Sequence, residues 1–217
     1  MVNAAGILHS QIVACRRCVE AGYWVAVPPI VSGPANARLM VVGQAPGKVE
    51  ASQTRRPFSG PAGKRLFRWF AEAGWSEDEF RSINYITAMT KCYPGPHPSG
   101  RGDRVASRAE QALCLTWLEQ ELALVQPQVV VPVGGLAIGR FLALARLEEV
   151  VGRLFVRPAD DDALTSWARQ HLPPVAKLAP LPHPSGASQW THQAGNQARV
   201  QEALRHLRRL KNEPLSF

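Results

Sequence analysis

Four short apolar segments, each followed by a turn and a helical pattern, constrain the fold of this chain most. The segments are 37–42 (ARLMVV), 84–89 (NYITAM), 129–133 (VVVPV) and 175–178 (VAKL). Apolar residues at helical spacing follow them at 63–73, about 107–124, 138–142 and about 193–211. Strands that alternate with helices favour a parallel sheet covered on both faces. We therefore predict an α/β fold over 1–217, a single-domain three-layer α/β/α architecture with a central, mostly parallel four-stranded sheet.

Composition limits the number of domains and the class of partner. The chain has 217 residues, 46% of them hydrophobic, which suffices for one substantial core. Its 25 Lys and Arg against 17 Asp and Glu give a net charge of +8, which favours polyanionic partners such as DNA. The sequence does not open on a basic leader with an apolar run, and no run reaches the roughly 20 apolar residues of a membrane span. We expect a monomer in the cytoplasm, associated with the nucleoid.

The four cysteines are spaced as ligands of one shared site could be. Cys15 and Cys18 form a C-x-x-C pair, and Cys92 and Cys114 follow far downstream. Two adjacent and two distant thiolates can close a four-ligand site, which would tie the segment 10–35 to the domain. Alternatively, Cys114 is a core residue of its helix, Cys92 is incidental and the C-x-x-C pair has a redox role or none. Zinc and a 4Fe-4S cluster are not distinguished by counting thiols.

Four further motifs lie at or near the ends of the predicted strands. They are 43–47 (GQAPG), 56–60 (RPFSG), 85–92 (YITAMTKC) and 183–186 (HPSG). Their order and placement resemble the iron-sulfur uracil-DNA glycosylases, families four and five of that superfamily, over about 15–188. This resemblance implies a hydrolase of base excision repair that flips uracil out of single- or double-stranded DNA and hydrolyses its N-glycosidic bond. It also implies that the four cysteines bind a 4Fe-4S cluster.

The chain departs from both families in places. Gln44 stands where family four usually has Glu, and Ala88 where it has Asn. The Thr-Ala pair before Cys92 is similar to family five, whereas the turn 60–63 is similar to family four and its DNA-crosslinking relatives. The Asp that some family five members carry near Pro61 is absent. We therefore expect a member closer to family five, or a divergent one.

The resemblance assigns the two residues nearest the base. Phe58 is expected to form the wall on which the flipped base stacks, since an aromatic face accepts any base. Without the motif around it, Phe58 would be interpreted as a core residue. His183 is expected to face the base carbonyl and to stabilise the departing anion as an oxyanion-hole donor does. A lone His before Pro is otherwise most often a solvated loop residue.

The loop after the first strand is expected to lie beside the sugar and the attacking water. It contains Gln44 and the backbone of Ala45 through Gly47. Ala45 stands where the best-known uracil-DNA glycosylases have a water-activating Asp, and Ala cannot polarise water. Gln44, Glu50 or backbone carbonyls must then position the water. Glu50 is the only carboxylate near this loop in sequence, and a surface charge is an equal alternative for it.

Specificity and DNA binding involve further positions. Ala88 cannot read the uracil edge as Asn would, so we expect relaxed discrimination and acceptance of deaminated purines such as hypoxanthine. Ser59 is expected to grip a phosphate. The loop 185–190, with Ser185, Gly186 and Ser188, is expected to enter the minor groove. The basic face of the last predicted helix either contacts DNA or is a solvated stripe opposite its leucines.

Three other functions compete with this one. The substitutions at 44, 45 and 88 are compatible with a catalytically weak DNA-binding protein of the same fold. The turn 60–63 is compatible with an enzyme that stays covalently trapped on its abasic product. A nucleotide-binding protein would also have a glycine-rich loop after its first strand, but neither G-x-G-x-x-G nor G-x-x-x-x-G-K-[ST] occurs.

Overall fold

A mostly parallel sheet forms the centre of the protein. The computed structural model describes residues 4–100, 102–143, 146–185 and 189–213. Within these ranges the sheet has five strands: β1 (Leu39–Gly43), β2 (Tyr85–Ala88), β3 (Val129–Pro132), β4 (Phe155–Val156) and β5 (Lys177–Leu178). Their spatial order is β2-β1-β3-β5-β4. All pairs are parallel except β4 with β5, which is antiparallel.

The predicted α/β class with a mostly parallel sheet is confirmed, and the predicted count of four strands is wrong. The additional strand is β4, a two-residue edge strand opposite β5. Two residues are too few for an apolar pattern to reveal a strand. The strand predicted at 175–178 is also shorter than expected, because only Lys177 and Leu178 pair with β3.

Helices lie around this sheet. In the described ranges they are α1 (Ala4–Val13), α2 (Arg17–Glu20), α3 (Pro61–Glu72), α4 (Glu77–Ile83), α5 (Arg108–Val125), α6 (Gly135–Phe141), α7 (Leu147–Val150), α8 (Ser166–His171) and α9 (Ala194–Asn212). Local sequence fixes several of their ends. Ser107 and Glu110 form a capping box at the start of α5, and Gln126 ends it in a left-handed conformation. The side chain of Ser76 caps α4.

Burial explains why these segments form a sheet. Every residue of β1, β2 and β3 is buried, as expected for strands covered on both faces. Pro132 is tolerated because it is the last residue of β3, where its carbonyl accepts the N–H of Leu181 beyond the end of β5. A smaller cluster, Leu8 and Ile12 of α1 against Cys114 and Trp117 of α5, holds the first helix on the domain.

The register brings the carboxyl ends of the parallel strands to one edge of the sheet. Gly43 lies opposite Ala88, and Val42 lies opposite Pro132. Open α/β sheets bind their ligands at this edge. No helix within the described ranges is long and apolar enough to cross a membrane.

Candidate active site

Backbone hydrogen bonds join the loops at the carboxyl edge of the sheet. The N–H groups of Met89 and Thr90 donate to the carbonyls of Gly43 and Gln44, at 2.9 and 3.2 Å. On the other side, the N–H of Gly134 donates to Leu181 at 2.9 Å. The N–H of Val133 donates to the carbonyl of Val42 at 2.9 Å, so the loops after β1, β2, β3 and β5 form one continuous rim.

Phe58 lies on the backbone at the end of β1. A Cβ on Gly43 would be 2.6 Å from Cζ of the Phe58 ring, so only glycine leaves room for the ring there. Phe58 itself has φ +50°, a left-handed conformation that is strained for an aromatic residue. The ring is partly buried against the core. The core alternative for Phe58 therefore holds for part of the ring, and its role at a bound base stays a prediction.

Arg81 and Gly63 hold the strained backbone of Phe58 in place. The Arg81 guanidinium donates to the carbonyls of Pro57 and Phe58, at 2.8 and 2.9 Å. The same group lies over the Phe67 ring, 4.1 Å from its centroid, and pairs with Glu77 of α4. A Cβ on Gly63 would be 1.8 Å from the Phe58 carbonyl oxygen, so this position also requires glycine. These contacts over-determine the conformation of Phe58.

His183 is half-buried after β5, and its tautomer is set by the following turn. Nδ1 accepts the N–H of Ser185 at 3.2 Å, so the neutral ring carries its proton on Nε2. Burial lowers the pKa of His183, which favours this neutral form. Gly134 supports the ring, because a Cβ there would lie 3.2 Å from its Cβ and Cδ2 atoms. Nε2–H is thus left as a donor on a neutral imidazole.

Glu50 is a buried brace of the loop after β1. Its Oε2 accepts the N–H of Gly47 at 3.2 Å, and its Oε1 accepts the N–H groups of Ser59 and Gly60 at 3.1 and 3.0 Å. The Glu50 side chain is only 7% exposed, so the alternative that Glu50 is a surface charge is wrong. These bonds link the π-helical turn Glu50–Thr54 to the start of α3. They favour a supporting role over a direct one.

Gln44, Ala45 and Ala88 lie at the ends of β1 and β2. Gln44 and Ala45 are partly exposed, and the Gln44 side chain makes no hydrogen bond within the described part of the chain. It is therefore available to a ligand. The carbonyl of Ala88 accepts a hydrogen bond of 2.6 Å from the ammonium of Lys91. Ala88 thus contributes a backbone group, and no polar side chain, to this edge.

Lys91 belongs to a buried ionic network that the sequence did not suggest. Its ammonium lies 2.6 Å from the Glu121 carboxylate, and both side chains are almost fully buried. Thr87 and Tyr85 of β2 donate to the same carboxylate, and His9 of α1 hydrogen-bonds Tyr85. Each buried charge is thus paired and hydrogen-bonded, as burial requires.

Asp103 is a second residue at the site that sequence reasoning did not single out. A Cβ on Gly47 would lie 3.2 Å from Oδ2 of Asp103 and 2.8 Å from Oε2 of Glu50. The Tyr93 hydroxyl donates to the Asp103 carboxylate, and burial together with this bond raises the pKa of Tyr93 to about 12. Asp103 follows the Pro- and Gly-rich segment 93–102 after β2. Its position in a glycine-rich loop after a strand end was the available signal.

All four cysteines line one cavity. Its other lining residues include Thr90, Lys91 and Trp117. No group of three or more Cys, His, Asp or Glu side chains within the described ranges is arranged to hold a metal ion. Burial, with repulsion from the neighbouring cysteines, raises the pKa of Cys18 to about 11 and that of Cys92 to about 12. The Lys91 N–H donates to Sγ of Cys114 at 3.3 Å.

Two buried donors at this cavity lack a partner. Thr90 Oγ1 and Trp117 Nε1 make no hydrogen bond within the described residues. Buried polar groups are nearly always satisfied, so an acceptor is expected in the cavity. Thiolates and inorganic sulfides both accept hydrogen bonds, and the four cysteines line a cavity in which no three, among the described residues, are arranged around a single ion. The donor set therefore fits a 4Fe-4S cluster.

The residues expected to grip DNA are only partly described. The Ser59 hydroxyl donates to the Arg56 carbonyl and also bonds Thr54. The carbonyl of Ser185 accepts a hydrogen bond from Arg65 at 3.2 Å. Gly186 and Ser188 lie outside the described residues. Trp190, at the end of this loop, donates its indole N–H to Glu148 and packs partly against the core.

Two groups of cations differ in their availability. Lys48 and Lys64 flank the rim, are exposed, and make no side-chain ion pair or hydrogen bond within the described residues. On α9, by contrast, Arg205 pairs with Glu202, Arg208 donates to the Glu72 carbonyl, and Lys211 pairs with Glu79. These contacts support the alternative in which the α9 stripe covers the surface and docks the helix.

Comparisons with known proteins agree with this geometry. Residues 30–208 match the model of the uracil DNA glycosylase superfamily. A type-5 uracil-DNA glycosylase of Pyrobaculum aerophilum is 34% identical over 69% of this chain and 70% of its own length. A type-4 uracil-DNA glycosylase of the same organism is 29% identical over 67% of this chain and 65% of its own length. A type-5 uracil-DNA glycosylase of Thermus thermophilus is 34% identical over 56% of each.

Proposed function

Because this chain belongs to the uracil-DNA glycosylase superfamily, we propose that it is a DNA glycosylase of base excision repair that removes uracil from DNA. The observation that carries the proposal is the neutral His183, whose Nε2–H has no acceptor within the described residues and stands on the same rim as Phe58. A neutral N–H donor at this position stabilises the negative charge on the leaving base by hydrogen bonding and keeps its own proton. The type-5 and the type-4 relative are both named uracil-DNA glycosylases, which supports uracil as the base.

The reaction follows from what each residue offers. The flipped base stacks on the Phe58 ring, which excludes water from one face. As the bond between C1′ and the base nitrogen breaks, its electron pair leaves with the base, and Nε2–H of His183 stabilises the resulting anion. Gln44 and the loop backbone through Gly47 hold the attacking water near the sugar. The products are free uracil and an abasic site.

Ala88 supports a broad base range. Its only polar contribution at the edge is a carbonyl already bound to Lys91. A backbone carbonyl with no amide partner discriminates bases poorly, so hypoxanthine is included in the proposed range. Equal inactivity on hypoxanthine and undamaged DNA would contradict this part of the proposal.

We also propose a 4Fe-4S cluster bound by Cys15, Cys18, Cys92 and Cys114. Two donors without a partner in the described residues fit a group with acceptors at this shared cavity, and the cysteines there are not arranged around a single ion as zinc would require. When bound, the cluster would supply a four-thiolate cross-link between the segment 10–35, the end of β2 and α5. We expect analysis of anaerobically purified protein to find iron and acid-labile sulfide. Stoichiometric zinc would contradict the proposed cluster. The proposed setting is a monomer in the cytoplasm, on the nucleoid.

The function is tested with a uracil-containing oligonucleotide and its undamaged counterpart. We expect alkali-labile abasic sites and free uracil from the first only. His183→Ala should lower the single-turnover rate by about 100-fold, the effect of losing one oxyanion donor. His171→Gln is the matched control, since His171 lies on α8 and contacts Glu119 and Trp167. A silent parent protein would overturn the proposal, and a denaturant-resistant protein–DNA band would identify the product-trapping alternative.

A further inference from the structure

Hydrolysis of the N-glycosidic bond needs a group that takes the proton of the attacking water. The loop after β1 does not provide one, because Ala45 has no polar group. Glu50 is bound by three backbone N–H groups and is only 7% exposed. Moving it toward a substrate would leave those buried donors without a partner. Within the described rim, another carboxylate has to be considered.

Asp103 belongs to the loop after β2, and its carboxylate lies close to the loop after β1. Its Oδ2 and the Glu50 Oε2 lie within 3.2 Å of the same point, the position of a Cβ on Gly47. The absence of a side chain at Gly47 is thus what admits the Asp103 carboxylate to the loop that carries Gln44. Unlike Glu50, Asp103 is exposed on this rim and can meet a bound substrate.

The loop that carries Asp103 is held by its backbone. Asp103 forms an isolated bridge with Pro96, and the N–H of Arg104 donates to Gly95 at 2.9 Å. The charge of Arg104 is directed elsewhere, to Glu110 at 2.6 Å and to the carbonyl of Trp24. The Asp103 carboxylate is therefore positioned without being neutralised by the adjacent cation.

We propose that Asp103 is the carboxylate of this site that activates the water. The proposal rests on the glycosylase function above and names the base for that reaction. As the C1′–N bond breaks and its electron pair leaves with the uracil, the water oxygen bonds to C1′. The proton of that water passes to the Asp103 carboxylate. Before the transfer, the anionic carboxylate also stabilises the positive charge on the sugar.

Tyr93 is a positioning residue for Asp103. It is buried, and its hydroxyl hydrogen-bonds the Asp103 carboxylate. That bond fixes the orientation of Asp103 and leaves its other lone pairs for water. Tyr93→Phe should therefore slow the reaction less than loss of Asp103 itself.

The test compares single-turnover rates on uracil-containing DNA with DNA affinity in the same variants. Asp103→Asn should lower the rate by about 100-fold, the size of a general-base contribution, with affinity changed less than about twofold. Asp103→Glu should recover part of the rate. Formate should restore activity to Asp103→Ala, because a small carboxylate can occupy the vacated position. A merely structural role would not produce that rescue.

The controls separate the possible failures. Asp162→Asn is the matched control, since Asp162 is an exposed aspartate in a turn before α8. An active parent with Asp103→Asn within about threefold of it would overturn the role of Asp103 and leave the glycosylase intact. Equal losses of rate and affinity, without formate rescue, would also overturn it. A parent that releases no uracil would overturn both proposals.

Discussion

At the scale of single residues, burial decides the chemistry of His183. A solvated imidazole near its ordinary pKa would be protonated in part at neutral pH, and Nδ1 could not then accept the Ser185 N–H. Burial lowers the pKa of His183 and keeps the ring neutral. A neutral donor matches a leaving base that is only partly anionic in the transition state.

The lowered pKa predicts how stability depends on pH. The unfolded chain binds a proton on His183 at its ordinary pKa of about 6.5, and the folded chain does so only at lower pH. The stabilisation from His183 is therefore complete above about pH 6.5 and is lost as pH falls through the folded pKa. His9, whose pKa burial also lowers, acts in the same direction.

The check is urea unfolding of the parent and of His183→Gln at pH 7.5 and 5.5. The parent should lose more unfolding free energy between these pH values than the variant does. Equal losses would mean that His183 is not buried as a neutral ring. The parent's single-turnover rate should also remain level to below about pH 6.5, since the neutral donor persists there.

The motifs that resemble the family singled out Phe58 and His183, which lie just before α3 and beyond β5. The sequence could not reveal what holds them. The partners of Glu50 are backbone N–H groups three to ten residues away, which leave no pattern in the sequence. Asp103 meets Gly47 only because the loops after β1 and β2 fold toward each other.

At the scale of elements, the joint between the loop after β1 and α3 depends on Glu50. The carboxylate sits at the amino-terminal end of α3, where negative charge is favourable, and closes three backbone bonds there. Glu50→Gln keeps the shape but turns an amide NH₂ toward backbone donors. We expect it to lower the free energy of unfolding by about 1–3 kcal/mol.

Denaturant unfolding of Glu50→Gln beside Asp78→Asn measures this effect. Asp78 is a suitable control because its side chain is fully exposed. Its ion pair with Arg56 is long, at 4.0 Å, and contributes little. A Glu50→Gln protein as stable as the parent but unable to release uracil would instead favour the direct catalytic role considered from the sequence.

Elements with long patterns were the predictable ones. The helix predicted at about 107–124 is α5, one residue displaced at each end. Its buried face does not follow hydrophobicity alone, because Ala109 is exposed, whereas Glu110 and Glu121 are buried in ion pairs. Charged residues that find a partner across the fold contradict a pattern made from hydrophobicity alone.

At the scale of the whole molecule, the net charge of +8 matters through its distribution. The cations of α9 are bound to acceptors of the protein, whereas Lys48 and Lys64 at the rim are exposed and unpaired within the described residues. Only cations free to neutralise phosphates release counterions on binding DNA. The rim therefore dominates the expected salt dependence.

DNA affinity measured at several salt concentrations tests this distribution. Replacing Lys48 and Lys64 by Ala should reduce the slope of log affinity against log salt by about 2. Arg205→Ala, which removes a cation already paired with Glu202, should leave the slope nearly unchanged. The opposite ranking would place the DNA on α9.

Lys91 connects two parts of the molecule, the cysteine cavity and the end of β2 at Ala88. Its backbone N–H holds Sγ of Cys114, and its ammonium holds the carbonyl of Ala88. A displacement of Cys114 would therefore be transmitted through Lys91 to the Ala88 carbonyl at the carboxyl edge of the sheet. Under the proposed function, oxidation of Cys114 would then disturb base discrimination at Ala88, so that accurate repair would depend on an intact cysteine cavity.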